Sequence, residues 1–93
     1  MIIVDIVTPD HLVVSVGAYI CLLPGVCGVL GVLEKHEPMV IALMAGEVVL
    51  HSSDGGHMAA QGEYTKKWRI DGGIARTDGN ICAISVLECE EIC

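Results

Sequence analysis

Apolar and polar residues alternate along most of this chain, and the apolar runs are short. Ile2 to Val7 reads as a strand, stopped by the turn signal Thr8-Pro9-Asp10. Leu12–Val16 and Ala18–Leu23 read as two strands parted by Gly17, and short strands follow around Leu30 and Val32. Met39 to Leu43 is extended and breaks at Ala45-Gly46. Glu47–Ser52 is one arm of a hairpin with Asp54-Gly55-Gly56 as its tip, and His57–Tyr64 is a weaker return arm. Thr65–Ile70 is a strand and Asp71-Gly72-Gly73 a turn or a close backbone approach. Ile74–Thr77 and Ile81–Leu87 then form a hairpin across Asp78-Gly79-Asn80. Cys82, Ile84 and Val86 alternate with Ala83, Ser85 and Leu87, which turns Cys82 inward. About ten short strands with regular turns predict an all-β fold, a two-sheet sandwich or flattened barrel.

Composition sets the size and the nature of the core. The 93 residues make one small domain, 53% hydrophobic, yet with no Phe, one Trp and two Tyr. The core must therefore be Val, Ile, Leu, Met and Cys, and this β-branched content favours strands. Leu12 to Leu33 carries no charge and is long enough to cross a bilayer, which takes about 20 apolar residues. Pro24 and Gly17, Gly25, Gly28 and Gly31 interrupt it, and no basic flank opens it, so it reads as sheet and not as a transmembrane segment. The net charge of −7 argues against nucleic acid as a partner. Lys66, Lys67, Arg69 and Arg76 read as a solvated strand face. The five cysteines form no C-x-x-C pair and no secretory leader precedes them, which implies free thiols in a reducing compartment.

Pro24 to Pro38 is the most informative stretch. It runs P-G-V-C-G-V-L-G-V-L-E-K-H-E-P, and its glycines and prolines demand a tightly turned link between strands. This spacing resembles the N-terminal β-sandwich domain of the ε subunit of F-type ATP synthases (δ in mitochondria). Other elements fall in the family's order: the opening strand before Thr8-Pro9-Asp10, Leu43-Met44-Ala45-Gly46, Gly72-Gly73-Ile74-Ala75, and Asn80-Ile81-Cys82-Ala83-Ile84 running into the acidic Glu88 to Ile92. The order and spacing of these elements together carry the likeness.

The resemblance implies a non-catalytic rotor subunit in the central stalk. It would bind the γ subunit and the polar loops of the membrane c-ring and so couple proton flow to ATP synthesis. It implies no cofactor and no metal. The location implied is peripheral, on the cytoplasmic face of a bacterial inner membrane or the equivalent organelle face. On this basis residues 1–87 form the sandwich domain, and 88–93 lead towards the family's C-terminal helical hairpin, which is absent from this sequence. The hairpin's activities are therefore not carried over. The c-ring-facing loop corresponds to Gly25 through His36, with Gly25, Gly28, Val29, Gly31, Glu34 and His36 as candidate contacts. Val29 stands where the family often carries an acid, and Glu34 or Glu37 is the expected substitute in meeting basic c-ring loops. The loop Ser52 to Glu63 is longer than the family's. The γ-facing surface is expected to be a broad apolar patch on one sheet.

Rival chemistry finds little support in the sequence. His11, His36, His51 and His57 with the cysteines suggest zinc, but zinc ligands commonly come in close pairs and these do not. His36 is expected to tie its turn by hydrogen bonds. Asp71-Gly72-Gly73 lacks the lysine of a phosphate loop, and no nucleophile elbow occurs. A Cys–His nucleophile pair has no marker of a lowered thiol pKa. The remaining alternative is a stand-alone β-sandwich binding module unrelated to a rotor.

Overall fold

In the computed structural model, which describes residues 1–10, 12–35, 37–52 and 65–92, every regular element is a strand. In chain order they are β1 (Ile2–Val7), β2 (Leu12–Ala18), β3 (Ile20–Gly25), β4 (Gly28–Leu33), β5 (Met39–Leu43), β6 (Gly46–His51), β7 (Thr65–Ile70), β8 (Gly73–Thr77), β9 (Ile81–Ser85) and β10 (Cys89–Glu91). The expected hairpin tip Asp54-Gly55-Gly56, the return arm His57–Tyr64, and His11, His36 and Cys93 lie outside the described residues.

The strands join into one sheet ordered β10-β7-β6-β3-β5-β8-β9-β1-β2, with β4 paired to the other side of β3. A single residue pair, Gly25 with Leu43, links β3 to β5. The sheet curls at that corner into two layers, β5-β8-β9-β1-β2 and β4-β3-β6-β7-β10. This is the expected all-β sandwich. The β1–β9 ladder is parallel, and its two strands are separated in the sequence by β2 to β8.

Period-two alternation decides which residues face inward. Ile2, Val4 and Ile6 of β1 are fully buried, as are Cys21 and Leu23 of β3, Val48 and Leu50 of β6, and Cys82 and Ile84 of β9. Trp68 and Ile70 from β7 and Val32 from β4 complete the centre. Each large aliphatic side chain taken from water there contributes about 1.5–3 kcal/mol before ordering costs. Cys82 faces inward, as its alternation predicts.

Several boundaries differ from the sequence reading. Gly17 does not divide β2: it sits opposite Ile3, and the Met1 and Ile3 side chains border the space beside its Cα. The break comes at Tyr19, whose N–H donates to the His51 carbonyl at 2.8 Å. Leu30 and Val32 belong to one strand, β4, paired along the whole of β3. The penultimate strand ends at Ser85, although Val86 stays buried and its N–H donates to the Val7 carbonyl at 3.0 Å. After Leu87 the sheet continues, with β10 antiparallel to β7. Leu12 to Leu33 is thus spent on three strands, and no helix among the described residues is long and apolar enough to cross a membrane.

One end of the sandwich is closed by turns that hold each other. Asp78 Oδ1 accepts the N–H groups of Asn80 and Ile81, both at 2.9 Å, and these bonds hold its carboxyl below the usual range. Gly79 takes φ +98°, and its carbonyl accepts the Lys35 N–H at 2.7 Å. Lys35 itself sits at φ +66°. Beside it Glu34 pairs with the N-terminal ammonium of Met1, which holds the Glu34 carboxyl low.

Candidate functional site

The β3–β4 hairpin carries most of the candidate residues, and its register decides which of them meet. Gly25 pairs with Gly28, Pro24 with Val29 and Leu22 with Gly31. The two-residue loop between Gly25 and Gly28 is Val26-Cys27. Gly28 closes it at φ +128°, a conformation side-chain-bearing residues rarely adopt. The tip is fixed to the end of β5 from both sides: Val26 N–H donates to the Ala42 carbonyl at 3.0 Å, and Met44 N–H to the Pro24 carbonyl at 2.9 Å.

Gly25, Gly28 and Val29 therefore share one end of the molecule. Gly31 lies further along β4, and the Ile20 and Leu22 side chains extend across the space it leaves. Glu34 stands at the opposite end, roughly 17 Å from Val29 along the strand at about 3.4 Å per residue. Its charge is already met by the N-terminal ammonium. Glu37 follows the same far turn, just before β5 begins.

The tip is apolar. Val26, Val29 and Val40 are 59%, 77% and 61% exposed. Between the tip and β5 runs a groove of about 330 Å³, lined by Val26, Val29, Leu30, Met39, Val40 and Ile41 together with Cys27 and the glycines. Reading the sequence locally did not reveal the contribution of Met39–Ile41. That contribution depends on the pairing of Gly25 with Leu43, which no local pattern marks.

A larger groove, about 620 Å³, opens at the same end between Val7, Pro9, Leu43, Ile74 and Leu87. Asp71 lies on it and accepts the Glu88 N–H at 3.2 Å. The groove leads onto the outer face of the β5-β8-β9-β1-β2 layer, where Ile3, Val40, Ile74 and Ile81 are each at least 40% exposed. In register across that face stand Val40, Arg76, Ala83, Asp5 and Ser15. Asp5 Oδ1 is buried there without a hydrogen-bond partner among the described residues.

The four cations do not form one patch. Lys67 and Arg69 share one face of β7 and Lys66 the other, and Arg76 lies on the other layer. Lys66 pairs with Glu91 at 3.8 Å, while Arg69 stands opposite Glu47 and Glu90. Among the described residues no three His, Cys, Asp or Glu side chains are grouped to hold a metal ion.

The thiols divide by environment. Cys21 and Cys82 are buried and free, and the Cys21 thiol is pushed up by its hydrogen bond with Cys82 and by burial. Cys27 is free and exposed at the hairpin tip. Alkylation of the native protein with iodoacetamide at neutral pH should label Cys27 at least about tenfold faster than Cys21 or Cys82, by peptide mapping. Equal rates would mean that the two layers part readily.

Residues 1–92 match the family described as "ATP synthase, Delta/Epsilon chain, beta-sandwich domain". The chain is 32% identical over 81 residues to the "ATP synthase epsilon chain" of Lacticaseibacillus casei, covering 87% of this chain and 52% of that one. It is 29% identical over 92 residues to the chloroplastic ε chain of Thalassiosira pseudonana, covering 96% and 60%. Its fold superposes with a TM-score of 0.78 on a chain of the Euglena gracilis mitochondrial ATP synthase, OSCP/F1/c-ring, at 21% identity, covering 97% of this chain and 52% of that chain. The chain thus spans about half the length of the curated relatives it matches.

Proposed function

Since this chain belongs to the delta/epsilon β-sandwich family of ATP synthases, we propose that it is a non-catalytic subunit of the rotor's central stalk, holding the γ subunit to the c-ring. The observation that carries the reading is the family match across residues 1–92. The fold supports it. Torque passes through a stiff body, and a two-layer sandwich with a close-packed apolar core deforms little. The hairpin tip at Gly25, Gly28 and Val29 meets the c-ring loops. The outer face bearing Ile3, Ile74 and Ile81 meets γ, because these side chains, each at least 40% exposed, lie on one layer. The protein is then peripheral on the membrane face that carries F1, and is cytoplasmic in a bacterium.

Affinity purification from detergent-solubilised membranes tests this. The chain should recover γ and c-ring subunits. Ile74→Asp should weaken γ retention by roughly 30-fold, because it buries an unpaired carboxylate against an apolar partner. Its melting temperature should hardly change, since Ile74 is 54% exposed. A chain that recovers neither partner would be a stand-alone binding module, and the rotor reading would fall.

A further inference from the structure

We propose that the groove between the hairpin tip and β5 takes an uncharged, apolar side chain from the c-ring loop, so that this subunit grips the ring by burial and not by an ion pair. The proposal rests on the reading that the tip meets the c-ring, and names the chemistry of that contact.

Charge and geometry both support it. The residues lining the groove are all uncharged, and Val29 at its mouth is the most exposed large apolar residue described. The acids expected to replace a charge at Val29 do not line the groove: Glu34 is at the other end of β4 and is engaged by Met1, and Glu37 is not among the lining residues. The charged group in register beside Val40 is Arg76, which is cationic. A basic loop would therefore bring its charge against valines and an arginine, with no carboxylate lining the groove. Burying a charge without a partner is costly. An apolar side chain entering the same groove meets apolar side chains on both walls, and covering three exposed valines favours association through the area removed from water. The rim is held in place by Val26 and Met44, whose N–H groups bond across to the neighbouring segment, so the groove exists before the partner arrives.

The test uses the complex of this chain with its own γ subunit, bound to immobilised detergent-solubilised c-ring of the same ATP synthase. Salt is raised from about 0.01 M to about 1 M, which shrinks the Debye length from about 30 Å to about 3 Å. Binding should change by less than about twofold. Val29→Glu should weaken it at least about tenfold at every salt concentration, and Val29→Leu should preserve it. Thermal melting of each variant checks that the fold is intact, which the exposure of Val29 leads us to expect. Binding that falls steeply with salt, or that tightens in Val29→Glu, overturns the apolar contact and leaves the c-ring reading standing. No binding of the native complex at any salt overturns that reading itself. Self-association of the native chain that Val29→Glu abolishes, without c-ring binding, would assign the groove to a second copy and overturn both.

Discussion

Gly73→Ala should bring the protein close to unfolding. A Cβ on Gly73 would lie 2.1 Å from the Ser85 carbonyl oxygen and 3.2 Å from its carbon. Backbone, not a pliable side chain, occupies that space, so the end of β9 must move. It cannot move alone, because Ser85 is also in register with Val7 of β1. Gly73 also sits at φ +150°, where a side chain is strained whatever room it has. Conformational strain of about 1–3 kcal/mol and overpacking of similar size together cost about 2–6 kcal/mol. That is a large part of the roughly 5–15 kcal/mol a domain has. The melting temperature should fall by about 15–30 °C. Gly72→Ala is the comparison: at φ +120° its new Cβ meets the Leu43 oxygen at 3.3 Å, so the loss should be smaller. Equal, small losses in both variants by urea unfolding would show that the β8–β9 junction relaxes freely, contrary to this account.

Where the sequence succeeded and where it failed can be traced to single residues. Alternation revealed β1, β5, β7 and β8 almost to the residue, because each has one face in the core and one in solvent. Gly17 misled, since a glycine within a strand looks locally like a turn. Only the register with Ile3 shows that the strand runs on through it. The stop at Tyr19 comes from a bond to His51, 32 positions away (51 − 19 = 32), which no local signal encodes.

The candidate site divides on the same principle. Gly25, Gly28 and Val29 were legible as a group because a two-residue turn brings them together by covalent connection alone. Glu34 looked like a spare charge because its partner is the chain's own first residue, 33 positions earlier. The groove needed β5, which reaches the tip through the corner pair Gly25 and Leu43. Spacing motifs show what a hairpin is made of, and the curl of the sheet shows what lies beside it.

Gly25→Ala should separate the tip's structure from that of the rest of the molecule. Gly25 is buried at the corner where β3, β4 and β5 meet, paired with Gly28 on one side and Leu43 on the other. An added Cβ would stand 2.7 Å from the Gly28 carbonyl oxygen and 3.6 Å from the Ile41 side chain. The Ile41 contact is ordinary, so the Gly28 carbonyl is what must yield, and with it the start of β4. Overpacking of this kind costs about 1–3 kcal/mol, enough to lower stability while leaving the domain folded. The displacement carries Val29 and Val26 away from β5 and spoils the groove. Amide exchange in the Gly25→Ala variant should therefore quicken at Val26 and Met44, which donate to Ala42 and Pro24, by about tenfold or more. Amides of the β1–β9 ladder should slow or quicken only with global stability. Gly28→Ala offers the contrast, because nothing lies within 4 Å of its new Cβ and only its φ of +128° resists. Its cost is conformational, and the β3–β5 bonds should stay protected. If Gly25→Ala keeps Val26 and Met44 protected and still holds the c-ring as firmly as the native chain, the corner does not hold the tip in place. The groove would then owe its shape to something other than the close approach of Gly25 to Gly28.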